Sequence, residues 1–247
     1  MKLYNTLTEQ KENLPLDDTR GKSLRMFVCG PTVYDEPHIG NGRTYVAFDI
    51  FARYLKFQKI KFFYLQNITD VDDKIIGRAR EEKIPPFDLA KKMEKGFHEA
   101  EKNLGIENVT KYARASDYIP QIISQIKTLI DKGFAYKIEN DGYYFDISKF
   151  ADYGALAKRT AEAAEDGVSR IDESVAKKNK GDFALWKLHK GDPSAGRAGW
   201  FGRYKMEIVD GEPLWRTELG VGRPGWHIED TAITEKFFGP QYDLHGG

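Results

Sequence analysis

One cysteine in 247 residues, Cys29, excludes an internal disulfide framework and fits a reducing compartment. No stretch approaches the roughly 18 consecutive apolar residues that span a bilayer. The first residues, Met1 to Thr6, lack the apolar core of a secretory signal. The expectation is therefore a cytoplasmic protein with no membrane partner. Charge of one sign is also missing: Lys and Arg total 38, and so do Asp and Glu. No global basic field advertises nucleic-acid binding, so any such contact must be local or lie outside this chain. There is no internal repeat. With 40% hydrophobic residues the chain has enough apolar material to bury a core, and its length suits one large domain or two smaller ones.

The apolar run Leu24 to Cys29, closed by Gly30, reads as a buried strand. From Gly40 to Phe57 the spacing becomes helical, predicting Val46, Ile50, Tyr54 and Leu55 on one side. Lys61 to Leu65 reads as a second strand, running into Asn67-Ile68-Thr69-Asp70. Strand, helix, strand opens an α/β sheet whose ligands sit beyond the carboxyl ends of the strands. Two further helices carry Leu89, Met93, Phe97, Ala100 and Leu104, then Ile119, Ile122, Ile126 and Leu129, with Gly133 as the stop of the second. Asn140-Asp141-Gly142 marks a hairpin between Phe134 to Ile138 and Tyr143 to Ile147. The Ala-, Lys-, Glu- and Asp-rich stretch to about Lys180 reads as part of an inserted, partly mobile subdomain. Residues 191–225, with their glycines, prolines, Trp200 and Trp215, predict a loop-rich return to the sheet. The last residues, Asp243 to Gly247, read as a loop leaving a strand, a first sign of truncation.

Three segments carry candidate chemistry. Pro37-His38-Ile39-Gly40-Asn41 places an imidazole and a glycine at a helix N-terminus, where backbone N–H groups attract phosphate and a histidine can donate to a phosphoryl oxygen. The plain alternative is a capping histidine. Cys29 at the end of an apolar strand is by itself core filler, and a metal role needs partners. The available ones lie far along the chain, at His227, Glu229, Asp230 and His245. The acidic run Asp70-Val71-Asp72-Asp73 can hold Mg²⁺ or, more simply, cap a helix through Asp70 or Asp72, with Thr69 better placed to face a ligand.

Taken together, six ordered blocks resemble cysteinyl-tRNA synthetases, a family of class I aminoacyl-tRNA synthetases. They are Leu3 to Thr8, Val28 to Asp35, His38 to Thr44, Asn67 to Lys74, Asp182 to Lys187, and Gly222 to Glu229. The fold implied is α/β, a Rossmann-type class I synthetase catalytic domain split by an inserted α+β subdomain and truncated. On that resemblance residues 1–111 are the first part of the catalytic domain, 112–205 the insertion and 206–247 the start of an incomplete second part. The implied activity is ATP-dependent activation of cysteine to cysteinyl-adenylate and transfer to tRNA(Cys), with Mg²⁺ on the phosphates. His38 and Asn41 fall on catalytic positions of the family's HIGH signature. Thr32, His38, Gly40, Asn41 and Gly246 fall on ATP positions, and Gly30, Thr32, Thr69, Trp226 and His227 on substrate positions. Cys29 and Asp230 fall on zinc-ligand positions, the zinc being the family's means of selecting a thiol over a hydroxyl. The whole protein is expected to be a monomer.

Three departures qualify the match. Asn41 stands at the last HIGH position, and it hydrogen-bonds but carries no imidazolium charge. Asp230 stands where the family has a second zinc-binding cysteine, giving a harder oxygen donor. The segments expected to carry the other two zinc ligands and the ATP-loop lysine should follow Gly247, so the chain reads as an N-terminal piece inactive alone. Two alternatives stay open: a paralogous ligase joining cysteine to an amino-sugar in thiol biosynthesis, and a non-catalytic synthetase-like binding module.

Overall fold

The computed structural model describes residues 1–14, 23–158, 176–190 and 204–247. Two compact units result, one from Met1–Leu3, Glu12–Tyr118 and Asp230–Gly247, the other from Tyr4–Lys11 and Ile119–Glu229. A two-stranded sheet of β1 (Lys2–Asn5) and β2 (Gln10–Asn13) lies near the start of the chain.

The first unit is a four-stranded sheet of β3 (Leu24–Val28), β4 (Phe62–Ile68), β5 (Lys111–Arg114) and β12 (Leu244–Gly246). All neighbours are parallel, in the order β12-β3-β4-β5. Parallel strands are covered on both faces, and that is why β3 and β4 are written as continuous apolar runs. Along β3, Met26 and Val28 join Tyr45, Ala52, Tyr64 and Phe97 on one face, while Phe27 joins Leu65, Ala113 and Ile233 on the other. Helix α1 (Ile39–Phe57) connects β3 to β4. Helices α2 (Asp73–Glu82) and α3 (Pro86–Asn103) follow β4, packing Ile75, Ala79, Leu89 and Met93 against Val33 and Ile68. From β3 the chain builds outward through β4 to β5, then returns to place β12 on the other side of β3. The order therefore reverses at the β12/β3 boundary, the position where open α/β sheets bind ligands.

Two expectations change here. The buried face of α1 is Tyr45, Asp49, Ala52 and Leu55, whereas Ile50 is 61% and Tyr54 45% exposed. Asp49 turns inward because Oδ1 accepts from Glu107 N, Asn108 N and Asn108 Nδ2 at 2.7–3.0 Å, and Arg53 donates to Oδ2 at 2.6 Å. Hydrogen-bond demand thus overrides the apolar periodicity. Helix α2 also extends the start at Asp72 into a full element, despite Gly77 at its centre.

The second unit is a six-stranded antiparallel sheet, in the order β6-β7-β8-β11-β10-β9. Its strands are β6 (Ala135–Ile138), β7 (Gly142–Phe145), β8 (Phe183–Leu188), β9 (Met206–Val209), β10 (Glu212–Thr217) and β11 (Gly220–Pro224). Helix α4 (Ile119–Asp131) leads into it, burying Ile119, Ile122, Ile123 and Ile126. The expected hairpin at residues 134–147 is β6 and β7. The loop-rich return predicted for residues 191–225 is corrected: where described, it supplies three strands of this sheet. The glycines misled because they serve close strand approach. A Cβ at Gly222 would stand 2.2 Å from Lys187 O, and one at Gly225 1.9 Å from Ala184 O. Trp200 and most of the stretch called mobile lie outside the described residues. Asp182, fully buried, accepts from Ile147 N, Asn179 N and Tyr136 OH at 2.6–3.0 Å, a structural reason for the Asp182 to Lys187 block.

Candidate active site

The carboxyl ends of β3, β4 and β12 meet at the strand-order reversal. Cys29 N donates to Gly246 O at 2.9 Å, tying β3 to β12. Gly30 N donates to Asn67 Oδ1 at 2.5 Å. Thr69 N donates to Pro31 O and Val33 N to Thr69 O, at 3.0 and 3.1 Å, making Thr32 and Thr69 an isolated parallel bridge. Five of the sequence-selected residues, Cys29, Gly30, Thr32, Thr69 and Gly246, are thus gathered at one edge. Both glycines are required by contact: a Cβ at Gly30 would fall 1.7 Å from Asn67 O, and one at Gly246 2.0 Å from the Phe48 ring. Thr69 is only 8% exposed, so its hydroxyl sits inside this edge and accepts from Asn67 Nδ2 at 3.2 Å.

Helix α1 begins one short loop later. His38 is its N-cap, with Nδ1 accepting from Gly40 N at 3.0 Å. The capping alternative is therefore what the structure displays, and it fixes the chemistry of the ring. An imidazole that accepts at Nδ1 carries its proton on Nε2, so the exposed His38 keeps an N–H donor for an external oxygen. Asn41 is exposed beside it, in the first turn, with its N–H bonded back to His38 O at 2.9 Å. A Cβ at Gly40 would meet only the His38 ring, at 3.1 Å.

Cys29 and Asp230 are 201 residues apart in sequence, yet Cys29 Sγ stands 3.7 Å from Asp230 Oδ2. Zinc–sulfur and zinc–oxygen bonds of about 2.3 and 2.1 Å, opened to the tetrahedral angle, place the two ligand atoms roughly 3.6 Å apart. The pair therefore fits two corners of a zinc site, with one soft and one hard donor. In the contiguous stretch of chain ending at Asp230, His227, Glu229 and Asp230 each offer a ligand atom, all within 4.8 Å of one another. Trp226 and His227 belong to the second unit, their rings 4.6 Å apart; Trp226 is 41% exposed and meets Phe183 edge-on at 5.8 Å.

The acidic run is committed to the fold. Asp70 accepts from Ser116 N at 3.0 Å and from the Ser116 hydroxyl; burial pushes its carboxyl up to about 6 despite those bonds. Asp72 is the N-cap of α2, accepting from Lys74 N at 2.9 Å. Of the two proposed caps, Asp72 is the one that acts.

Sequence reasoning passed over Asn67, which is 1% exposed and holds both Gly30 and Thr69. A polar amide closing an apolar strand was the available signal. It also gave little weight to His245, whose Nδ1 lies 2.7 Å from Tyr242 OH. Burial lowers the pKa of His245 while Asp230 pulls it up.

A family model described as the tRNA synthetases class I (C) catalytic domain matches residues 15–247. A cysteine–tRNA ligase of Thermoplasma acidophilum is 45% identical over 247 residues, covering 100% of this chain and 50% of that protein. Cysteine–tRNA ligases of Thermococcus kodakarensis and Methanococcus maripaludis are 44% and 42% identical, again covering 100% of this chain and 47% of each relative. The chain spans about half the length of the curated relatives it matches.

Proposed function

Since this chain belongs to the family of tRNA synthetases class I (C) catalytic domains, we propose that it carries the amino-acid activation site of a cysteine–tRNA ligase. In the proposed reaction the carboxylate of cysteine attacks the α-phosphorus of ATP, which enters as its Mg²⁺ complex. Pyrophosphate leaves, and the cysteinyl group passes from the adenylate to the 3′ end of tRNA(Cys). We place the complete protein in the cytoplasm as a monomer, and take the second unit as the subdomain inserted in the catalytic domain.

The observation that carries this reading is the joint placement, at the strand-order reversal, of a thiol–carboxylate pair and a helix start with an outward imidazole donor. His38 Nε2–H is the group proposed to hold a phosphoryl oxygen as its charge grows, with the Asn41 amide assisting. Gly40 and Gly246 are proposed to keep backbone within reach of ATP, and Thr32 is assigned to both the nucleotide and the amino acid. Gly30, Thr69, Trp226 and His227 are assigned to the cysteine. Cys29 and Asp230 would hold zinc, which supplies a soft Lewis acid that favours a thiol over a hydroxyl. Asp230 in place of sulfur makes that site harder, and its carboxylate keeps one negative charge there.

His38→Asn tests the assignment, because asparagine is a good N-cap but lacks a donor at the Nε2 position. In the complete protein the variant should keep its melting temperature and lose about 10²-fold or more in cysteine-dependent exchange of pyrophosphate into ATP. Unchanged exchange would reduce His38 to a cap.

A further inference from the structure

We propose that His98 is a proton-dependent lock: its charged imidazolium bridges Glu94 and Glu101 on helix α3 and fastens that helix to β5, and loss of the proton at alkaline pH releases it. On α3, His98 stands one turn from each of the two glutamates. Its Nδ1 lies 3.2 Å from Glu101 Oε2 and its Nε2 3.6 Å from Glu94 Oε1. A carboxylate only accepts, and a neutral imidazole carries a proton on one nitrogen alone, so its bare lone pair would face one of the two carboxylates. Only the imidazolium presents a donor to both. The glutamates are 6% and 3% exposed, so water does little to replace a lost partner.

Arg114 of β5 is engaged with Glu94, its Nε and Nη2 at 2.8–2.9 Å, whereas among the described residues His98 is the one cationic partner of Glu101. With His98 charged, two carboxylates face two cations; without it, one negative charge stays buried. The lock reaches β5 through Tyr112, whose OH donates to Glu101 Oε2 at 2.7 Å and whose ring meets His98 edge-on at 4.6 Å. No other group around the cluster takes over this role. Tyr45 of α1, Tyr64 of β4 and Tyr112 are kept neutral by burial. Asp117 and Asp70 act on Arg114, and Lys95 and Lys102 of α3 are exposed. The bond to Glu101, and after it the one to Glu94, pushes His98 up to about 9 from 6.5. The stabilisation is therefore complete below pH 6.5, declines as pH rises from 6.5 to 9 and is gone above 9. Across that window the unfolding constant rises by up to about tenfold per pH unit, and by less to the extent that solvent screens the ring, 38% exposed. The same helix packs Leu89 and Met93 on Val33 and Ile68, the chain neighbours of Thr32 and Thr69, but the lock does not depend on the adenylation reading.

The test is a proton–carbon NMR titration of the full chain that follows the His98 ring, assigned through its own backbone amide. Its midpoint should lie above about pH 8, well clear of a free histidine, and Glu101→Gln should lower it by about one unit or more. A midpoint below about 8, or one that Glu101→Gln leaves in place, overturns the proposal. In urea titrations the wild-type unfolding constant should rise at least about tenfold more between pH 6.5 and 9 than that of His98→Gln, which has nothing to titrate at this position. Equal rises would show that no proton is held there. Amide exchange along α3, corrected for its intrinsic pH dependence, reads the release: opening should be about tenfold more frequent one pH unit above the His98 midpoint than at pH 7, and unchanged opening would refute it. The wild-type titration and exchange need no variant, so they decide the matter should either substitution fail to fold.

Discussion

Replacing Asn67 with alanine should loosen the candidate site from inside. Its Oδ1 accepts from Gly30 N at 2.5 Å and its Nδ2 donates to the Thr69 hydroxyl at 3.2 Å, and the side chain is 1% exposed. Removing it strands the Gly30 N–H, which costs about 1–3 kcal/mol, and deletes a second bond that contributes about 1 kcal/mol. The sum, about 2–4 kcal/mol, is a large share of the roughly 5–15 kcal/mol that holds a domain together. With a urea slope of about 2 kcal/mol per molar, the unfolding midpoint falls by about 1–2 M. Urea titration followed by circular dichroism measures this, and amide exchange at Gly30 reports the local part. Asn67→Asp keeps an acceptor for Gly30, so the Gly30 amide should stay protected there even though a buried charge lowers global stability. A loss below about 0.5 kcal/mol in Asn67→Ala, the range of an ordinary surface change, would refute the view that this amide clamps the strand ends.

Two further outcomes follow from the site's electrostatics. Asp70 titrates near 6 in the fold against 3.8 when free, so its ionised form penalises the folded state above pH 6 and the penalty fades as pH falls toward 3.8. Asp70→Asn should therefore be more stable than wild type at pH 7, with the advantage shrinking by pH 4; pH-resolved thermal melts check this, and a constant difference would contradict it. For the metal, elemental analysis of the complete protein should find about one zinc per chain, Cys29→Ala should lose it, and Asp230→Cys should hold it against a higher chelator concentration. Zinc content unaffected by Cys29→Ala would remove Cys29 from the site.

The parallel sheet was legible because β3 and β4 are buried on both faces and so are written as apolar runs that the eye can follow. The second sheet was legible only in its β6–β7 hairpin, since β9 to β11 are short and their glycines and prolines mimic a loop; only the partner strand β8 reveals that Gly222, and Gly225 just past β11, are packing residues. Likewise Asp49 looks solvent-facing by type, and its inward turn depends on the amides of Glu107 and Asn108, 58 and 59 residues away. At the site, the helix start at His38 could be read locally. The Cys29–Asp230 approach could not, because no spacing rule links residues separated by more than two hundred positions. It was the family resemblance that brought them together on paper, and Asn67 escaped notice because its bonds depend on the register of β3 against β4.

The most direct test is the exchange of labelled pyrophosphate into ATP by the complete protein, with cysteine and serine compared at equal concentration. The account predicts robust exchange with cysteine and at least about 10²-fold less with serine, because the zinc proposed at Cys29 and Asp230 would gain little from a hydroxyl. Exchange that ignores cysteine, or that serine supports equally, would contradict it.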